Sequence, residues 1–188
     1  METENHLLNE LSDDELTSLA KRQLPHVTLA FEELVKRHEN KVYAICLRYF
    51  GCPETAEEVS QETFIRVFQQ LINFRGDSQF STWLYRIALN LCHTVAQKKS
   101  FVNSEPLENY SDDIQLSEEF TCDDEEQCVQ YCINQQNEQE KAMISMRFNT
   151  ELSLQEIADI LDIKLSATKM RLYRAMESFK TLYEKYCT

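Results

Sequence analysis

Glycine and proline are scarce: 188 residues hold 2 Gly and 3 Pro. A many-stranded β fold needs a turn residue every few positions, so this chain lacks the turn chemistry for one and an all-α fold is expected. Long apolar runs are missing as well. No stretch of about 18 apolar residues occurs, so no membrane-spanning helix is expected. The first ten residues, METENHLLNE, have neither a basic start nor an apolar core and do not read as a secretory signal. A phosphate-binding Gly-rich loop, an HExxH helix and a nucleophile elbow are all absent, so an enzyme is the least expected class. No cofactor is expected. The chain is expected to stay in the cytoplasm, where its seven cysteines should be reduced thiols.

Basic residues are missing from one place in particular. The net charge of −13 argues at first sight against a nucleic-acid partner. Yet residues 101–140 hold 12 acidic groups and no Lys or Arg, while residues 30–100 carry 9 basic and 8 acidic groups and residues 141–188 carry 8 and 6. The acidity therefore belongs to one self-repelling stretch that reads as a flexible linker. The expected organisation is an N-terminal extension with a short helix (1–26), a helical domain (27–99), the acidic linker (100–123) and a second helical domain (124–188).

What is present is helical period. Phe31, Leu34, Val35, Val42 and Ile45 predict a helix over about 29–50, stopped by Gly51 and Pro53. Ala56, Val59, Thr63, Val67 and Leu71 predict a second over 54–73, and Leu84, Ile87, Ala88, Leu91 and Val95 a third over 81–98. Ser12 with Glu15, and Ser153 with Glu156, are spaced as capping boxes. One helix is predicted over 124–147. A helix after Ser153, a turn at 162–164 and a helix over 165–186 then form a helix-turn-helix pattern. Removing the apolar stripe Thr168, Leu172, Ala175 and Phe179 from the last helix leaves Lys169, Arg171, Tyr173 and Arg174, suited to phosphates and guanine edges. Lys164, at the positive end of that helix, is electrostatically misplaced unless it meets a phosphate.

The only Trp follows a Gly-Asp-Ser loop in NFRGDSQFSTWLYRIALN, residues 73–90. On the residues alone, this is either a tight structural corner or a pocket for something flat.

Two stretches share one resemblance. ETAEEVSQETFIRVFQQLINFRGDSQFSTWLYRIALN resembles region 2 of extracytoplasmic-function (ECF) RNA polymerase sigma factors of bacteria. LSLQEIADILDIKLSATKMRLYRA resembles their region 4. The resemblance covers roughly residues 27–99 and 126–182. It departs from the family pattern at Glu58, at Thr94, at Gln97–Lys99 and at Ser166–Thr168. It implies two small helical domains, the region 2 bundle and the region 4 helix-turn-helix. It implies as partners core RNA polymerase, promoter DNA and an anti-sigma factor, with a monomer when free and no membrane insertion.

The resemblance also implies residue roles. Glu54, Glu57, Glu58, Gln61 and Glu62 would meet the polymerase clamp. Phe74, Arg75, Gly76, Asp77, Ser78, Phe80, Trp83, Arg86, Lys98 and Lys99 would serve the −10 element, with Trp83 read as a brace beneath the loop rather than a stacking platform. Lys164, Ser166, Lys169, Arg171, Tyr173 and Arg174 would serve the −35 element.

The alternative reading is a stand-alone helix-turn-helix regulator acting as a dimer. A third is a cysteine-based metal or redox sensor: Cys122, Cys128 and Cys132 are weak ligand candidates, with Cys187 or an Asp as a further ligand. Cys46 and Cys92 read as small core residues.

Overall fold

The computed structural model describes residues 8–102, 125–149 and 152–187, with side chains undescribed at 99–102 and 149. Among the described residues every regular element is helical. The acidic linker and Cys122 lie outside them, and so does the side chain of Lys99.

Helix α1 (Asp13–Gln23) opens on the Ser12–Glu15 capping box. Helix α2 (Leu29–Phe50) ends on Gly51, whose φ of 66° is the left-handed conformation that closes a helix and that glycine adopts without strain. Helix α3 (Pro53–Gln70) starts with Pro in its first turn, where no amide donor is needed. It passes through a 3₁₀ turn (Leu71–Asn73) into the Gly76 loop, and α4 (Phe80–Val102) follows. The expected apolar stripes face inward: Ala56, Val59, Thr63, Val67 and Leu71 are all buried, as are Leu84, Ala88 and Leu91.

Helix α2 is the axis of the fold, packed against α1, α3, α4 and a helix of the C-terminal half. Arg37 ties the N-terminal extension to it. Its guanidinium donates to the carbonyls of Leu8, Asn9 and Leu11 and pairs with Asp13 and Glu33. His38 bridges Asp13 Oδ2 at 2.6 Å and the Tyr85 hydroxyl at 3.1 Å. The His38 hydrogen bond, reinforced by Arg37, holds the Asp13 carboxyl below the usual carboxylate range.

The single helix expected over 124–147 is two: α5 (Glu125–Asn134) and α6 (Glu138–Asn149). Asn137 caps α6, its Oδ1 accepting from the Glu140 amide at 3.0 Å while Glu140 Oε2 accepts from the Asn137 amide. Gln136 is buried in the break and donates to the Ala175 carbonyl. A polar N-x-x-E cap inside a helical period ends one helix and starts the next, which apolar spacing cannot register. Helices α7 (Leu154–Leu161) and α8 (Leu165–Tyr186) complete the chain.

The two halves are not held apart. Met143, Met146, Leu152, Ile157 and Ile160 belong to one continuous buried cluster with Leu34, Val42, Ile45 and Leu84. Helix α2 packs on α6, and α4 on α7. Gly51 lies so close to α5 that a Cβ there would fall 2.5 Å from Gln130 Nε2.

Four of the described cysteines fall into two pairs. Cys46 and Cys92 are fully buried, 3.8 Å apart, and hydrogen bonding to Cys46 together with burial pushes the Cys92 thiol up, so this pair is packing material. The expectation of seven reduced thiols fails elsewhere: Cys128 and Cys187 form a disulfide. Folding brings their Cα atoms to 6.0 Å, inside the range a bridge spans, from positions 59 residues apart.

Candidate functional site

The first surface is the outer face of α3. Its inner face is fixed by buried Ala56, Val59, Thr63 and Val67, so Glu54, Glu57, Glu58 and Gln61 point to solvent. Glu54 accepts from the Cys52 thiol at 3.1 Å, which lowers its pKa and keeps it charged. Gln61 donates to Glu57, and Glu62 pairs with Arg66 at 2.8 Å. Of these carboxylates only Glu54 sits in the first turn, where the helix's positive end favours an acid. Sequence patterning missed the continuation of this row. Ile65 and Ile72, seven positions apart, are 52% and 64% exposed. Their helical spacing from Glu58 and Glu62 was the available signal, and neither belongs to the inward stripe that apolar spacing picks out.

The second surface is the loop from Phe74 to Gln79. Below it lies an aromatic floor. Phe74 stacks on Trp83 with centroids 4.7 Å apart, and Phe80 lies 6.1 Å from Trp83. Phe74 and Phe80 are buried, and Trp83 is half-buried against Phe74 at the base of the loop. Arg75, Gly76 and Asp77 are exposed above the floor and Ser78 is partly so. Gly76 has φ 78° with open space around it, so the residue is needed for its backbone conformation, not for room.

Helix α1 supplies a wall that sequence reasoning did not foresee. Lys21 Nζ donates to the Phe74 carbonyl at 2.6 Å. Asp14, Thr17 and Ser18 face Arg75, Gly76 and Ser78 across a cleft of about 380 Å³. The Thr17 hydroxyl is buried in this wall with no hydrogen-bond partner. Only the Ser12 cap marked α1 in the sequence, and a cap says nothing about which neighbour the helix touches.

Lys98 is exposed near the end of α4. Arg86 is not beside the loop. It is half-buried at the seam between the halves, where Nε donates to the Ile160 carbonyl at 2.9 Å and Nη2 to the Asp159 carbonyl. A cation on the last carbonyls of α7 is favourable, since these are the unpaired, negative end of that helix. Replacing Arg86 with Ala should remove about 1–3 kcal/mol of this docking. The measurable outcome is a larger radius of gyration by small-angle scattering, with helical content unchanged by circular dichroism.

The third surface is α7–turn–α8. The Ser153–Glu156 capping box starts α7, and Asp162 ends it at φ 54° while the Ile163 amide returns to the Ala158 carbonyl. Lys164 is the N-cap of α8 and makes no side-chain cap. With Thr168 and Ala175 buried beneath, Lys164, Ser166, Lys169, Arg171, Tyr173 and Arg174 are all exposed, Tyr173 at 63%. Met170, 54% exposed beside them, went unremarked in the sequence. The exposed side of the helix thus offers cations, a hydroxyl and an aromatic edge.

The chain is similar to known proteins on both sides of its linker. Residues 34–101 match the family Sigma-70 region 2, and residues 132–180 match Sigma-70, region 4. The chain is 34% identical to the RNA polymerase sigma-H factor of Pseudomonas aeruginosa, over 79% of this chain and 83% of that protein. It is 32% identical to the ECF RNA polymerase sigma factor SigW of Bacillus subtilis, over 80% and 87%. It is 34% identical to the ECF RNA polymerase sigma-E factor of Haemophilus influenzae, over 79% and 84%. In fold it is similar to CnrH, solved in complex with the cytosolic domain of CnrY, with a TM-score of 0.65 at 23% identity over 92% of this chain and 97% of that one. It is also similar to the sigma factor RpoE of Bartonella quintana, solved with the anti-sigma factor NepR, at TM-score 0.63 and 18% identity over 84% and 98%. With both sigma-70 regions in order on one helical chain, this protein belongs to the ECF family of RNA polymerase sigma factors.

Proposed function

We propose that this sigma factor holds core RNA polymerase through the acidic face of α3, melts a −10 element at the Phe74–Gln79 loop and reads a −35 element with α8. Residues 27–99 would carry the first two tasks and residues 124–188 the third. The observation that carries the reading is the loop itself. An open Arg75-Gly76-Asp77 edge lies over an aromatic floor and is clamped from beneath by Lys21. Extracting a base from duplex DNA costs a few kcal/mol, and stacking returns about 1–3 kcal/mol per base, so a preformed cleft with polar edges is what the step requires. Exposed Arg75 and Lys98 are placed for phosphates. Arg86 would join them only after leaving the α7 carbonyls, so promoter engagement is coupled to separation of the two halves.

The two structural neighbours were each solved with a partner protein. An anti-sigma partner for this chain is supported by an apolar groove of about 240 Å³ between α5, α6 and α8, beside which Phe148 and Met176 stand exposed. Freed from that partner, the chain would act in the cytoplasm as a monomer.

Run-off transcription with purified core enzyme and this protein, on a library of upstream fragments, tests the reading. Promoter-specific transcripts that need both components are expected. Specific duplex binding by the protein alone, with no transcript on addition of core, would instead mark a stand-alone helix-turn-helix regulator.

A further inference from the structure

Neither the polymerase surface nor the DNA surfaces use the cysteines of the C-terminal half. Cys128 and Cys132 are one turn apart on α5, so their side chains share a face. Cys187 follows the last residue of α8. The three sulfurs lie within 4.8 Å of one another, and Cys132 Sγ is 3.6 Å from Cys187 Sγ. Cys128 and Cys132 are buried, and Cys187 is partly exposed. Tyr131 and Tyr186 pack edge to face beside them at 5.2 Å.

We propose that Cys128, Cys132 and Cys187 form a three-thiolate site for a thiophilic d10 metal ion, of which zinc(II) is the type. Four ligands at about 2.3 Å around zinc put neighbouring sulfurs about 3.8 Å apart, close to the Cys132–Cys187 separation. Cys132 stands at that distance from a disulfide whose reduction frees the other two sulfurs, so folding has already gathered all three ligands in one place. Soft thiolates select zinc(II) or copper(I) over magnesium or calcium. Three protein ligands leave one position for a ligand from outside. The Cys128–Cys187 disulfide is the metal-free oxidised state of the same site. Two equivalents of a small thiol convert it to two cysteine thiols and leave as one small-molecule disulfide. The ion then binds three thiolates and releases three protons, so loading weakens as pH falls. Because the ligands join α5 to the end of α8, the ion fastens the far end of the DNA-reading helix to the start of its domain.

The test uses the full chain, reduced and held without oxygen. Titration with cobalt(II) should give a thiolate-to-metal charge-transfer band that saturates at one ion per chain and is displaced by one equivalent of zinc(II). Zinc should also raise the melting temperature. Cys132→Ser and Cys187→Ser should each weaken binding by roughly 100-fold or more. Cys187 follows the last helix, so its variant leaves the core intact even where Cys132→Ser does not fold. Cys52→Ser should bind normally. No band at micromolar metal, undiminished affinity in Cys187→Ser, or loss of the band in Cys52→Ser would each overturn the site.

Discussion

Changing Glu58 and Glu62 together to Lys is expected to weaken binding to core RNA polymerase by about 100-fold or more while the protein stays folded. Both residues lie on the outward face of α3. The intramolecular cost is small. Glu62 loses one half-exposed ion pair with Arg66, and such surface pairs contribute about 0–1 kcal/mol. Glu58 lies beyond the first turn, where the dipole has little hold. In an interface the same change sets like charges against each other at a cost of several kcal/mol, and about 2.8 kcal/mol already gives 100-fold. Affinity by fluorescence anisotropy against labelled core, beside thermal melting, reads both quantities. Equal affinity in the variant and the parent would remove this face from the polymerase contact.

The exposed Ile65 and Ile72 bear on how such a contact is built. Acid alone gives steering and register; an apolar strip at its end gives area to bury. That strip also shows where the sequence stops being legible. The inward stripes of α2, α3 and α4, the Gly51 stop and both serine capping boxes could be read because each is a local rule with a fixed spacing. The face of α8 was readable because its polar groups lie off the buried stripe; the Gly-Asp-Ser loop was legible only through the resemblance, since its residues alone fit a corner as well as a pocket. Nothing local places Lys21 under Phe74, the α7 carbonyls under Arg86 or Cys187 beside Cys132, because these pairings join positions 53 or more residues apart. The same limit explains the joined halves. A linker composition says that 100–123 carries no core of its own; it says nothing about whether Met143 and Met146 on one side complete the core around α2 on the other. The break at Asn137 is different in kind: its N-x-x-E cap was present in the sequence and was overlooked beneath the apolar period.

The second large effect is expected at the loop. Asp77→Ala with Ser78→Ala should slow promoter opening by about 30-fold without changing affinity for core. Asp77 is exposed, and Ser78 has only a long 3.4 Å contact to the Gln79 carbonyl, so removing both leaves the floor of Phe74, Phe80 and Trp83 in place. Two hydrogen bonds to an extracted base, at about 1 kcal/mol each, amount to about 2 kcal/mol, which sets that factor of 30. Permanganate reactivity of −10 thymines follows opening directly, and normal reactivity in the variant would sink the assignment. A template already unpaired across the −10 element separates opening from binding. There the cost of breaking base pairs is gone, so the variant's transcription should recover toward the parent's. A defect of equal size on both templates would locate the loss in polymerase or duplex contacts instead. Trp83→Ala supplies the contrast: it removes the brace, so the loop should lose its form and the defect should come with a lower melting temperature.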